Sequence, residues 1–226
     1  MREDMQQRSG SPSEPVPGLP PGAFPLSAAQ RGIWFAQHLA GDAPISIAQY
    51  VEIIGELDVT ALGDACVQSG REFGSGFLRL IEVDGIPFQL VDETLDAKPR
   101  FTDLRHEPDP AAAARDWMRA EFAAPLQLLR DRLVSSVVLQ IGDHHYYWYT
   151  RIHHIALDGY AAMTLVQRTA ELYTAAVAGA EAPPSRAEDL AAIVASDMQY
   201  RGSDRFANDR VYWAEHLAGA PQAVSL

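Results

Sequence analysis

Cysteine is almost absent from this sequence. Cys66 is the only one among 226 residues, which excludes an internal disulfide and fits a reducing compartment. The residue lies on the apolar side of an expected helix, with neither a helix N-terminus nor a cation beside it to activate a thiolate. We therefore interpret Cys66 as a small core residue.

Positive charge and long apolar runs are also scarce. The chain has 18 basic and 30 acidic residues, a net charge of −12, and Lys98 is its only lysine. Nucleic acid and anionic membrane both require a basic face, so neither is expected as a partner. No apolar run reaches the roughly 20 residues of a membrane helix, and no signal peptide is evident. We expect a cytoplasmic protein.

The chain divides into a short leader and one larger domain. Residues 1–23 are rich in proline and serine and have almost nothing to bury, so they are expected to be a disordered leader. Ordered structure is expected from Phe24 to the end of the sequence, as one domain of residues 24–226.

Capping residues and apolar periodicity predict the regular elements. Ser27 and Asp58 are suitable N-caps for the first two helices. The expected helices span residues 28–39, 58–69, 110–122, 160–178, 188–200 and 204–217. The expected strands span residues 45–54, 77–83, 86–91, 133–141 and 146–152.

Two polar turns indicate β-hairpins. Asp84-Gly85 separates the second and third strands, and Gly142-Asp143 separates the fourth and fifth. Helices alternate with these strands, but each hairpin requires an antiparallel pair. The predicted fold class is therefore α/β, with helices packed on a mixed sheet.

The segment with the clearest chemical content begins in the fifth strand and ends in the next helix. An aromatic strand, residues 146–152, leads into His153-His154-Ile155-Ala156-Leu157-Asp158-Gly159. Loops at strand ends are where rigid scaffolds display reactive groups. Because side chains alternate along a strand, the two histidines are expected on opposite sides, and only one can serve a given cavity.

Three interpretations of this segment remain open on spacing alone. One is acyl transfer, in which a histidine in a cleft acts on an incoming nucleophile. The second is a metal site of one paired histidine with Asp158 and His144 or His145, although helical i, i+4 histidine spacing and a cysteine cluster are both missing. The third is structural, with buried histidines and Asp158 capping the next helix.

Several motifs, in their order along the chain, resemble the condensation domains of nonribosomal peptide synthetases. His153 to Gly159 matches the family motif HHxxxDG. Residues 26–35, 57–62 and 211–221 resemble the family's opening motif, its next helix and the end of its first lobe. The resemblance covers residues 24–226 and is strongest to siderophore synthetases of the enterobactin type.

The resemblance implies a chloramphenicol acetyltransferase-like two-layer sandwich that forms the N-terminal lobe of a two-lobed domain. It implies an amide-forming acyltransferase of bacterial secondary-metabolite or siderophore biosynthesis. The α-amine of an acceptor aminoacyl thioester would attack a donor acyl or aminoacyl thioester. Both would be carried on phosphopantetheine of carrier proteins, so no cofactor or metal is expected on this chain. The C-terminal lobe and the adenylation and carrier domains of the parent synthetase would be further partners.

The resemblance also assigns roles within the motif. His154 is expected to be the catalytic residue and His153 a structural one. Asp158 would support the loop through an ion pair with an arginine. Gly159 would lie where the backbone approaches the reacting centre.

The arginine partner of Asp158 is the point where this sequence departs from the family pattern. The family's second motif carries two arginines, as in L-R-T-R-F, whereas residues 76–80 read Gly-Phe-Leu-Arg-Leu. Only Arg79 has a counterpart, so Arg79, or alternatively Arg151, is the expected partner.

The sequence stops where the family's first lobe stops, so the C-terminal lobe is expected to be absent. The chain alone is then expected to be inactive, to expose apolar surface and to form a homodimer. If Met1 is the native start, the donor carrier would be a separate protein. A stand-alone acyltransferase using coenzyme A thioesters and a non-catalytic docking module for carrier proteins are the rival functions.

Overall fold

The computed structural model of the protein describes residues 17–41, 43 and 45–220. Of the expected leader, residues 1–16 lie outside the described residues, and residues 17–23 form turns and irregular backbone. The elements follow in the order β1 Phe24–Pro25, α1 Ala28–Ala40, β2 Ser46–Ile54, α2 Val59–Phe73, a 3-10 turn Ser75–Phe77, β3 Leu78–Val83, β4 Ile86–Val91, β5 Arg100–Asp103, α3 Pro110–Ala123, β6 Val134–Gly142, β7 His145–His153, α4 Gly159–Ala178, α5 Leu190–Arg201 and α6 Asp204–His216.

Each of these six helices begins at a serine or aspartate N-cap, which satisfies a backbone N–H that has no partner within the helix. The predicted cap at Ser27 is a full capping box, because Gln30 N donates to Ser27 Oγ and Ser27 N donates to Gln30 Oε1. The predicted cap at Asp58 accepts from Ala61 N. Both predicted helix starts are confirmed.

The larger sheet has the strand order β2-β7-β6-β5. β7 pairs antiparallel with β2 and β6, whereas β5 pairs parallel with β6. The predicted α/β class and mixed sheet are therefore confirmed. β7, which carries the first motif histidine at its end, lies inside the sheet with a neighbour on each side.

Helices cover both faces of this sheet. On one face, Leu62 of α2 and Val166 of α4 pack against Val138 and Trp148. On the other face, the α3 residues Ala114 and Met118 pack against strand residues of opposite parity, namely Val137, Leu139, Tyr147 and Tyr149. Since alternate residues of β7 are buried on opposite faces, this internal strand is held in place from both sides.

A smaller sheet of three strands, in the order β1-β4-β3, packs beside the motif loop. The predicted turn Asp84-Gly85 joins β3 and β4, and both of its residues have positive φ, as a two-residue hairpin turn requires. Leu78 and Leu80 of β3 share an apolar cluster with Ile155 and Ala156 of the motif. The smaller sheet therefore supports the loop from one side.

Two strands were not predicted. β1 has only two residues and β5 only four, Arg100 to Asp103, with a single apolar side chain. Neither segment carries an apolar pattern long enough to predict a strand. Both exist because a neighbouring strand provides hydrogen-bond partners.

Cys66 on α2 is half-buried beside the apolar cluster of Leu62 and Trp148, as interpreted from the sequence. Burial raises the pKa of its thiol to about 12, so the thiol stays protonated at neutral pH. Across the described part of the chain, no helix is long and apolar enough to cross a membrane.

Candidate active site

The motif loop is fixed where it leaves the sheet. His153 N donates to Leu133 O at 2.8 Å, and His154 N donates to Ile45 O at 2.9 Å. Ala156 N in turn donates to His153 O at 2.9 Å, which makes the turn that follows β7. The backbone of both histidines is therefore held by segments on either side of β7.

His153 is fully buried and held through both ring nitrogens. Ile155 N donates to Nδ1 at 3.1 Å, so Nδ1 carries no proton. Nε2 lies 3.1 Å from Gln37 Oε1 and is the nitrogen that donates. Burial lowers the pKa of this imidazole to about 4, with smaller contributions from His154 and Arg151. His153 is consequently neutral near pH 7.

His154 is half-buried, whereas its neighbour is fully buried. Among the described residues, its imidazole makes no hydrogen bond or ion pair, although its backbone is fixed. The prediction that only one histidine of the pair is available for chemistry agrees with this difference in burial.

Asp158 has a different partner from the one expected. Its Oδ1 accepts from Ala161 N at 2.8 Å, which makes it the N-cap of α4. In residues 17–41, 43 and 45–220 its carboxylate makes no ion pair. The structural interpretation, in which Asp158 caps the following helix, therefore matches the geometry.

Both arginines expected beside Asp158 are paired elsewhere. Arg79 lies on the solvent side of β3, between buried Leu78 and Leu80, and its NH1 is 3.3 Å from Asp92 Oδ2. Arg151 is buried against Glu121. The expected ion pair of Asp158 with Arg79 or Arg151 is wrong, because the alternation along β3 and β7 directs the two guanidinium groups to other sites.

Gly159 is the first residue of α4 and is exposed. A Cβ built on it would meet nothing within 4 Å. The protein's own packing therefore does not require glycine there. The open space is consistent with the expected approach of a ligand to this backbone.

Two glutamines that the sequence analysis did not single out as site residues stabilise the motif loop through hydrogen bonds. Gln30 and Gln89 exchange hydrogen bonds between their side-chain amides, at 2.7 and 2.8 Å. Gln30 Nε2 also donates to Ile155 O at 3.1 Å, and Gln89 Nε2 donates to Pro25 O. Gln30 belongs to the opening motif noted above, but no sequence signal indicated Gln89.

Gln37 of α1 is a further residue that sequence reasoning missed. Besides facing His153 Nε2, it donates from Nε2 to Gly41 O at 2.7 Å and to Ala43 O at 3.1 Å. One side chain thus joins the end of α1, the segment before β2 and the first motif histidine. The amide orientation fixes its Oε1 as the acceptor for His153.

A buried charged group supports β7 just before the motif. Tyr149 Oη donates to Glu121 Oε2 at 2.6 Å, and Arg151 NH1 lies 3.4 Å from Glu121 Oε1. Arg151 also donates to the carbonyls of Glu121 and Ala124 at the end of α3. Burial, together with the Glu121 carboxylate, raises the pKa of Tyr149 far above its ordinary value. These bonds fix the strand to α3.

The alternative metal site does not assemble around the motif. His145 begins β7, about 26 Å from His153 along the strand, and His144 directly precedes it. There they pair with Glu56 and Glu52. Within the described ranges, no three His, Cys, Asp or Glu side chains are grouped as metal ligands.

Comparison with known proteins identifies the family. The condensation domain family matches residues 21–226, so the chain belongs to the condensation domain family. A dimodular nonribosomal peptide synthase of Bacillus subtilis is 38% identical over 205 residues, which are 90% of this chain and 9% of that protein. Enterobactin synthase component F of Escherichia coli O157:H7 is 34% identical over 206 residues, which are 90% of this chain and 16% of that protein.

Solved structures show the same fold. The starter condensation domain of rhizomide synthetase has a TM-score of 0.78 and 33% sequence identity, over 88% of this chain and 49% of that chain. The first condensation domain of the CDA synthetase has a TM-score of 0.75 and 28% identity, over 90% of this chain and 52% of that chain. The chloramphenicol acetyltransferase-like fold of these domains is thus confirmed for this protein, which spans about half of each.

Proposed function

We propose that this chain is the N-terminal lobe of an amide-forming condensation domain. The donor is an acyl or aminoacyl thioester, and the acceptor is the α-amine of an aminoacyl thioester. The observation that supports this most is the unequal state of the two motif histidines. His153 is buried, neutral and bonded through both nitrogens, whereas the imidazole of His154 makes no hydrogen bond to any residue in the described part of the chain.

The proposed reaction at His154 is nucleophilic acyl transfer. The neutral amine attacks the thioester carbonyl, a C–N bond forms, and the C–S bond breaks to release the donor thiol. His154 accepts the proton that the amine loses and passes it to the leaving sulfur, or it holds the amine in line with the carbonyl while that proton passes to the sulfur. Because the reference pKa of an α-amine is about 7.7–8.0, part of it is already neutral near pH 7, and orientation can contribute much of the effect.

The remaining motif residues have supporting roles in this proposal. His153 fixes the loop through Gln37 and Ile155, and Asp158 fixes the start of α4 through its cap. Gly159 leaves room for substrate beside the loop. Arg79, which pairs with Asp92 on the solvent side of β3, is proposed to stabilise the smaller sheet rather than the loop.

We propose carrier proteins as the partners, since the relatives are multidomain synthetases of which this chain matches 9% to 16%. Donor and acceptor carriers would present their substrates on phosphopantetheine, with the second lobe and adenylation domains elsewhere in the same assembly. No cofactor is then needed on this chain itself. A single, protonated cysteine is compatible with the reducing cytoplasm.

Exposed apolar side chains indicate where a second lobe would pack. Phe35 on α1, Tyr160 and Met163 on α4 and Trp213 on α6 are each more than half exposed. Large apolar side chains exposed in this way are candidates for contact with a partner surface. We propose that, when this chain is alone, a second copy covers part of it, and sedimentation equilibrium tests this: a monomeric mass at high concentration contradicts the dimer.

The test of the proposed activity is amide formation in a single turnover with loaded carriers. A two-lobed domain that contains this lobe is expected to form the amide, and this chain alone little or none. A starter domain similar to this chain has been crystallised with C8-CoA and Leu-SNAC, so donors on coenzyme A are compared with donors on a carrier. Amide formation only from coenzyme A donors would favour the rival acyltransferase, and carrier binding without amide would favour the docking module.

A further inference from the structure

Gln37, in the last turn of α1, uses every hydrogen-bonding position of its side-chain amide. Nε2 donates to Gly41 O at 2.7 Å and to Ala43 O at 3.1 Å. Oε1 accepts from Ile45 N at 3.4 Å and faces His153 Nε2 at 3.1 Å. Because a side-chain amide has two donor hydrogens and two acceptor lone pairs, these four partners satisfy it completely.

The same amide is connected to both motif histidines. His153 is bonded to it directly through Nε2. His154 is connected to it through one residue, because Ile45 donates its N–H to Gln37 and accepts from His154 N at 2.9 Å with its carbonyl. Gln37 therefore joins α1, the segment before β2 and the end of β7 at the place where the motif begins.

Both halves of the amide are needed at this position. A carboxylate could accept from His153 and Ile45 but could not donate to Gly41 O or Ala43 O, and an apolar side chain could do neither. Within the described ranges, Gln37 Oε1 is the acceptor that the fully buried His153 Nε2 finds. Loss of the amide would leave this buried donor unpaired and the ring free to turn.

We propose that Gln37 is a positioning residue for amide formation: it fixes the ring of His153 and the backbone of His154, and thereby sets the direction from which the His154 imidazole meets the acceptor amine. The inference rests on the proposed function, in which His154 acts on the amine. The contacts of Gln37 themselves do not depend on that function. Because Gln37 acts through the two histidines, its loss should slow turnover and leave substrate binding unchanged.

The protonation of His153 makes this connection measurable. The titratable and charged groups around the ring and Gln37 come from α1, α3, β7, the motif and the segment before β6; they are His38, Glu121, Arg151, His154 and Arg130. The two ring nitrogens themselves face uncharged groups, Gln37 Oε1 and Ile155 N. A carboxylate in place of the Gln37 amide would therefore put an anion in direct contact with Nε2.

Gln37→Glu makes that change with little difference in side-chain length. A neighbouring anion favours the imidazolium, so the pKa of His153 should rise by about 1–3 units from its value of about 4 in the wild type. NMR of this chain, isotope-labelled at its histidine nitrogens, measures the titration midpoint. The control is Gln199→Glu, at an exposed position of α5, which should leave the midpoint unchanged. An unchanged midpoint in Gln37→Glu overturns the proposal.

The single-turnover rate of amide formation, in a two-lobed domain that contains this lobe, tests the positioning role. When His153 is charged, Nδ1 can no longer accept from Ile155 N, and the motif loop loses a support. The ratio of the Gln37→Glu rate to the wild-type rate should therefore fall about tenfold or more as the pH passes below the midpoint found by NMR. The same ratio for Gln199→Glu should stay level. A level ratio for Gln37→Glu across its midpoint overturns the proposal.

Gln37→Met keeps the length of the side chain and removes all of its hydrogen bonds. The rate at saturating carrier concentration should fall about tenfold or more, while the acceptor-carrier concentration that gives half of this rate stays the same. A change confined to that concentration overturns the positioning role. If Gln37→Met does not fold, the rate ratio of Gln37→Glu, whose folding the NMR spectrum reports, decides.

His154→Ala separates this inference from the proposed function. An unchanged rate in His154→Ala would remove the proposed function, and with it the positioning role, while the NMR result for the Gln37 contact would stand. A lost rate in His154→Ala together with a level ratio for Gln37→Glu would remove the positioning role alone.

Discussion

The neutral state of His153 predicts how the stability of the protein depends on pH. The pKa of this imidazole is about 4 in the folded chain, against an ordinary value near 6.5. The unfolded chain therefore binds more protons than the folded chain between these two values. The stability that depends on neutral His153 is fully present above about pH 6.5 and is lost as the pH falls toward 4.

The magnitude follows from the shift. A difference of roughly 2.5 units at about 1.4 kcal/mol per unit corresponds to about 3 kcal/mol. The structural reason is that protonation of Nδ1 would abolish the hydrogen bond from Ile155 N and place a charge in a fully buried site. A domain of this size has only about 5–15 kcal/mol in total, so the loss is measurable.

Urea unfolding of the wild type and of His153→Asn, at several pH values from 7.5 to 4, measures the contribution of His153 to the free energy of unfolding. Hydrogen bonds lower the pKa values of carboxylates such as Glu72 and Asp92, so their protonation in acid also destabilises the folded chain. That loss is the same in the wild type and the variant, and it cancels in the comparison. The difference in unfolding free energy between the two should therefore shrink by about 3 kcal/mol from pH 7 to 4. Parallel curves would refute the account of His153.

Three other predictions concern the supports of the loop and the packing of the 3-10 turn on α2, and are measured by urea unfolding at pH 7. Gln30→Leu removes the donor to Gln89 Oε1 and to Ile155 O, and should cost about 2–4 kcal/mol; a loss below about 0.5 kcal/mol, the size expected for a neutral surface change, would contradict the network. Asp158→Ala should cost about 1 kcal/mol, whereas Asp158→Asn, which still caps α4, should cost little; equal losses would favour an ion pair. Gly76→Ala brings a Cβ to 2.7 Å from Gly70 Cα and should cost about 1–3 kcal/mol, while Gly32→Ala, with open space around it, should not destabilise.

Local chemistry predicted most of the fold. Asp84-Gly85 predicted the first hairpin because both residues adopt the positive φ that a tight turn needs. Gly142-Asp143 predicted the second hairpin one residue too early, since Gly142 still pairs with His145 at the end of β6. Ser27 and Asp58 predicted helix starts because their side chains cap free N–H groups. These signals act within a few residues, so the sequence carries them directly.

Long-range pairing was harder to predict. β5 is a strand because β6 offers it an edge, and its four residues have no strand pattern of their own. The presence of helices on both faces of the sheet likewise depends on which face α3 packs against, and apolar periodicity along the sequence does not predict that face.

The candidate site shows the same division. Strand alternation predicted that His153 and His154 differ, and their burial does differ. Gln37 and Gln89 were missed because their partners lie 116 and 59 residues away. The expected pairing of Asp158 with Arg79 came from a family pattern that this chain only half retains, and here the arginine lies on the solvent side of β3.

The central claim is that His154 is the group that acts on the amine. The most direct measurement is the single-turnover rate of amide formation by a two-lobed domain containing this lobe, wild type against His154→Ala, with loaded donor and acceptor carriers. The account predicts a loss of about 10²-fold or more, the lower end of the range for a positioned acid–base group, with unfolding free energy little changed. An unchanged rate would contradict it and would leave the motif as a structural support.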